Sequence, residues 1–185
     1  MKLALPVVLL VVLGMLVASC GGGSTVRHDY LVAKGDRQVL DHTYDRMLAA
    51  LERSRANDPA AVLGGATAGQ RMLYVLFFVD DEISNGGLYQ VYWNLRGGFV
   101  EEAIHDANLI GAKHWAGLVL RAGQQLFPGG IPNDLDQQRK SIGCPDYCAK
   151  RSVDRLDAQW RDGELRAPLL RYVRRHPAQF FASSA

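Results

Sequence analysis

Glu82, Asn85, Gln90 and Asn94 flank and follow the turn-forming stretch Asn85-Gly86-Gly87 at offsets that could bring their side chains together across a tight corner. A carboxylate and three amides so placed can do two things. They can satisfy the free backbone groups where one helix ends and the next begins, or they can line a pocket for a ligand or partner. Proton transfer is the other chemistry open to a carboxylate. Glu82 with His105 or Asp106 would make an acid–base pair, but no spacing joins them. The five histidines, His28, His42, His105, His114 and His176, are scattered, and no two sit one helical turn apart. The chain shows no phosphate loop, nucleophile elbow or zinc signature. The expectation is therefore no catalytic residue, no metal and no cofactor.

Cys20 carries a different chemistry. Lys2 is the only charge before it, Leu3 to Ala18 is an apolar run, Ser19 is small, and Gly21-Gly22-Gly23-Ser24-Thr25 follows. A basic start, an apolar core and a small-residue cleavage site make a secretory signal. An uncleaved membrane helix is the alternative, for which the run is slightly short. Val17-Ala18-Ser19-Cys20 resembles the lipobox of bacterial lipoproteins. That resemblance implies cleavage before Cys20, a diacylglycerol on its sulfur and an acylated amino terminus. Two or three acyl chains anchor a protein stably where one does so marginally. Gly21 is not the Asp that resembles an inner-membrane retention signal, so the expected address is the outer membrane, facing the periplasm.

With Cys20 lipidated, Cys144 and Cys148 remain as a pair. In an oxidising envelope an even remainder reads as a disulfide. Gly143-Cys-Pro-Asp-Tyr-Cys148 is a Pro-containing turn in which the two sulfurs could meet, whereas a regular helix would suit a bridge poorly. Free thiols are the alternative. A zinc site would need two further ligands, and no His or Cys lies at a matching spacing.

The elements that must position these residues are helical. Of 185 residues, removing 1–19 leaves 166, the size of one domain with a real core. Residues 20–35 read as a lipidated cysteine and flexible tether, with a reach on the order of 20 Å, and residues 36–185 as the folded domain. After Asp36, a good N-cap, Leu40, Tyr44, Met47, Leu48 and Leu51 fall at helical spacing. Ala60 to Gly65 reads as a loop. From about Thr67 to Ser84, Met72 to Val79 is apolar on every side, which by length and flanks predicts a helix through the middle of the domain, although a buried strand has the same periodicity. Asn85-Gly86-Gly87 should break the chain sharply. A short helix should follow, with Leu88, Val91, Tyr92 and Leu95 on one face and Gln90 and Asn94 opposite, ended by Gly97-Gly98. Helices burying Phe99 to Ile110 and Trp115 to Leu126, a polar one from Asp134 to Ile142, and two more stopping at His176-Pro177 complete an all-α domain of about seven to eight helices.

Lys2 leaves with the leader, so of 21 Lys and Arg residues 20 remain against 19 Asp and Glu. Near-neutrality argues neither for nucleic-acid binding nor for a strongly acidic decoy, and no direct nucleic-acid binding is expected. The charge is unevenly spread. Phe78 to Ile110 holds Asp80, Asp81, Glu82, Glu101, Glu102 and Asp106 against Arg96 alone, while Arg139 to Arg175 holds ten cations and five carboxylates. Such asymmetry can steer partners, and it is also what solvated helix faces look like.

The stretch Asp81-Glu82-Ile-Ser-Asn85-Gly86-Gly87-Leu88-Tyr-Gln90-Val-Tyr92-Trp-Asn94 resembles a bacterial family of unknown function whose best-known representative is a DNA mimic. Ile110-Gly111-Ala112, Leu126-Phe127-Pro128 and Tyr172-Val173, His176-Pro177 and Phe180 extend the likeness over about Tyr74 to Phe181. Leu88 stands where the family usually has Phe, and the cysteine pair and leader look like additions. The resemblance implies a single all-helical domain with a binding role and no attached catalysis. Imitating DNA needs carboxylates at phosphate-like spacing over a long surface, and here six are balanced by 20 cations. The leading expectation is a non-enzymatic envelope lipoprotein that is held on the membrane by its lipid and binds an envelope protein. A small-molecule binder or enzyme using the corner at 82–94, and a DNA mimic occupying a DNA-binding protein, are the alternatives. A basic face lying on anionic lipid is a further one.

Overall fold

The computed structural model describes Leu40, residues 63–143 and residues 148–181. Seven helices and no strand are found among them: α1 (Ala68–Asn94), α2 (Gly97–Ile110), α3 (Lys113–Leu126), α4 (Leu135–Ile142), α5 (Cys148–Asp157), α6 (Arg166–Arg175) and α7 (Pro177–Phe181). The leader, Cys20, the tether and the rest of the first expected helix lie outside the described residues. So do Cys144 and the Cys148 side chain.

α1 is the axis of the domain, because its sequence leaves it no solvent face at its centre. Met72 to Phe77 and Val79 are all buried, as expected of a helix that is apolar all round. α2, α3, α4, α5 and α7 pack on it, and α6 reaches the assembly through α2 and α7. The start of α1 is set by a capping box: the Thr67 hydroxyl accepts the Gln70 N–H at 3.3 Å, and Gln70 Oε1 accepts the Thr67 N–H at 3.1 Å. Gln70 also donates to the Phe180 carbonyl at 3.0 Å, which docks α7 there. Leu40 is helical and joins the core at 2% exposure.

Three boundaries differ from the sequence-based expectation, and one falls where expected. Leu63 and Gly64 are helical rather than loop. The expected break at Asn85-Gly86-Gly87 is present at Gly87, where two helices abut across a kink and are numbered together as α1. Gly97 and Gly98 open α2 instead of closing its predecessor. The reason lies in α4, where the fully buried Gln138 donates through Nε2 to the carbonyls of Tyr92 and, at 2.7 Å, Leu95, while its Oε1 accepts the Gly97 N–H at 3.2 Å. One side chain thereby satisfies the end of one helix and the beginning of the next. Finally, the chain does not stop at His176-Pro177 but resumes as α7, with Pro177 at its first position, where a missing N–H costs nothing.

Candidate functional site at the kink of the central helix

Gly87 has φ 78° and ψ −177°, a combination essentially confined to glycine. At the kink the backbone N–H of Leu88 takes a partner from outside α1. Asp157, the last residue of α5, supplies it: its Oδ1 accepts that N–H at 2.7 Å. The fit is close, since a Cβ on Gly87 would lie 2.6 Å from Asp157 Oδ2. Burial pushes the Asp157 carboxyl above its ordinary range, and the Leu88 hydrogen bond pulls the other way.

Across the kink the polar residues converge as the sequence suggested, but on each other. Glu82 Oε2, in the first half of α1, accepts from Gln90 Nε2 at 2.9 Å and from Asn94 Nδ2 at 2.7 Å, both in the second half. Gly86 makes room for this, because a Cβ there would overlap Gln90 Oε1 at 1.8 Å. The expectation that these amides cap backbone groups is therefore corrected: they clamp a carboxylate. Asn85 takes no part in the clamp. It is exposed and makes no side-chain hydrogen bond among the described residues.

Beside the clamp lies an open cleft of about 470 Å³, lined by Gly86, Tyr89, Gln90, Trp93, Asn94, Gly143 and Lys150. Tyr89 and Trp93, one turn apart, stack with centroids 5.7 Å apart and planes at 23°. The Arg139 guanidinium lies 5.8 Å from the Trp93 ring centroid, and its Nε donates to the Trp93 carbonyl at 2.7 Å. The cleft thus offers oriented amides, aromatic edges and a lysine, which are groups for hydrogen bonding and stacking.

The remaining acidic residues of the middle segment are mostly occupied. Asp80 Oδ1 accepts the indole N–H of Trp115 at 2.9 Å and of Trp160 at 3.2 Å, tying α1 to α3 and to the turn after α5. Burial raises the Asp80 carboxyl while both indoles lower it. Glu102 takes a bidentate grip from Arg71. Asp106 is buried, raised by that burial, and bonded by His105 at 3.1 Å. Glu82 and His105 are accordingly not brought together, since each is engaged elsewhere. Among the described residues no group of three or more His, Cys, Asp or Glu could hold a metal ion, and no helix is long and apolar enough to cross a membrane.

Two positions central to this geometry were not singled out from sequence, Asp157 and Asp80. Their only local signal was an aspartate at a helix end and an aspartate closing an apolar run. Compared with known proteins, residues 64–176 match the family model described as DMP19-like protein. No curated protein and no solved structure matches the chain.

Proposed function

The chain belongs to the DMP19-like family, and from that premise we propose that it is a lipid-anchored envelope protein whose helical domain binds another protein and catalyses no reaction. The observation that carries the binding reading is the cleft beside the Glu82 clamp. It offers about 470 Å³ of open space, and Gln90 and Asn94 on its wall are held in place by their hydrogen bonds to Glu82. Preorganised amides and aromatic rings favour association, because little side-chain freedom is left to lose on binding. Proton-transfer chemistry has less to support it, since Glu82 is spent on Gln90 and Asn94.

DNA mimicry is disfavoured by the same geometry. Asp80, Glu102 and Asp106 are engaged with indoles, an arginine and a histidine, and of the six acidic-middle residues Asp81 and Glu101 are the exposed ones. A phosphate-like ladder needs a long exposed row.

The test is affinity capture from envelope extracts with the native lipidated protein and its Trp93→Ala variant. A protein enriched by the parent and lost from the variant, with melting temperature unchanged, is the expected result. The same captured proteins from both would move the docking surface elsewhere. A co-purifying small molecule with no protein would favour the small-molecule alternative.

A further inference from the structure

Helix α6, Arg166-Ala-Pro-Leu-Leu-Arg171-Tyr-Val-Arg174-Arg175, contains four arginines and no carboxylate. Leu169, Leu170 and Val173 are buried and fix one face of the helix to the core. At 100° per residue, Arg171 and Arg175 fall one above the other on the opposite face, with Arg174 beside them. All three are exposed. The helix thus presents a short cationic row, Arg171 and Arg175 with the internally engaged Arg174 beside them, on a mature chain expected to hold 20 Lys and Arg against 19 Asp and Glu. Nothing in the kinked-helix site uses it.

We infer that this row is the surface by which the anchored domain lies against anionic phospholipid. The inference rests on the proposed lipid anchor, which would join the chain to the bilayer at Cys20 and so hold the domain near its surface. At that range weak electrostatic contacts become effective, because the anchor has already brought the surfaces together. Guanidinium groups suit the role, as they pair bidentately with phosphate. Each arginine near an anionic leaflet is worth about a fivefold change in partition, so two give on the order of 25-fold, fading with salt.

The experiment removes the anchor so that only the protein surface is read. The chain from residue 20 onward carrying Cys20→Ser is sedimented with vesicles of phosphatidylglycerol and phosphatidylcholine, and with phosphatidylcholine alone. Binding to the anionic vesicles that falls on the order of 25-fold in Arg171→Gln/Arg175→Gln, and is lost at high salt, is expected. An Arg151→Gln/Arg155→Gln control on α5 should retain most of it, with circular dichroism showing all three chains folded. No preference for anionic vesicles, or equal losses from both double variants, would overturn the proposal. Binding to a soluble polyanion such as heparin without binding to vesicles would overturn it in favour of a polyanionic partner. Acyl labelling of the native protein is a separate readout, so loss of the anchor reading and loss of this one are distinguishable.

Discussion

Asp157 caps a helix that it does not belong to: its carboxylate accepts the Leu88 backbone N–H at 2.7 Å, across 69 residues of sequence. The interruption at Gly87 and the carboxylate that fills it form one device. Leaving a buried N–H unpaired costs about 1–3 kcal/mol, so Asp157→Ala should lose about that much in urea unfolding. Gly87→Ala should lose about 2–3 kcal/mol, from an unfavourable φ and a Cβ directed at Asp157. In the double variant the clash is relieved, and the combined loss should fall below the sum of the two. Strict additivity would show that the residues act independently.

The break at Asn85-Gly86-Gly87 was legible because only glycine tolerates such backbone, and the run Met72 to Val79 announced a buried helix by having no polar face. The extent of the interruption was not legible, since it depends on Asp157, a residue no local pattern connects to it. Gln138 was hidden in the same way. It sits in a polar eight-residue stretch, and its burial follows from α4 crossing the junction of α1 and α2 rather than from its own neighbours. Asp80 read as one member of a solvated acidic segment until the folded chain brought Trp115 and Trp160 onto it. Local pattern marked where elements lie, and side chains acting at a distance decided how they end.

Three aspartates, Asp106 buried and Asp80 and Asp157 partly so, make a pH prediction. Asp80, Asp106 and Asp157 are all raised above their ordinary 3.8, chiefly by burial. A carboxyl whose folded value is raised contributes stability that is full below its unfolded value and is lost as pH rises through the folded one. Asp80→Asn keeps an acceptor oxygen for both indoles and removes one titration. Its stability should therefore decline less than the parent's as pH is raised from about 4 toward 7. Asp80→Ala should lose about 1–3 kcal/mol throughout, because both indole N–H groups lose their acceptor. Urea midpoints across that range check this, and a parent that gains stability relative to the Asn variant as pH rises contradicts it.

Lipidation at Cys20 predicts that Cys20→Ser abolishes acyl labelling and yields a soluble or uncleaved product. Fractionation should recover the parent with the outer membrane. Unchanged membrane retention with an intact leader would indicate a helix anchor, and recovery with the inner membrane would refute the sorting expected from Gly21.

The Cys144 and Cys148 pair is expected to be oxidised in the mature protein. The loop it closes is short, so the stabilisation is about 1–2 kcal/mol at most. Mass spectrometry of unreduced, alkylated protein decides the matter directly: two labelled thiols reject the disulfide, and none supports it.

The Glu82 clamp separates scaffold from site. Gln90 and Asn94 both donate to one oxygen of Glu82 across the kink, so each Ala substitution should lose about 1 kcal/mol, and the double variant should show coupling. Asn85 makes no such bond, and Asn85→Ala should stay within about 0.5 kcal/mol of the parent. A structural clamp predicts that stability falls while capture of any partner persists in the folded fraction. A binding residue predicts the reverse, with an unchanged melting temperature and lost capture. The distances favour stability loss for Gln90 and Asn94, because their amide N–H groups are already bonded to Glu82 even though both residues line the cleft. Trp93 lines the cleft without a side-chain bond to the clamp, and its substitution should affect capture first. Full stability of both amide variants, together with lost binding, would transfer the clamp from the scaffold to the site.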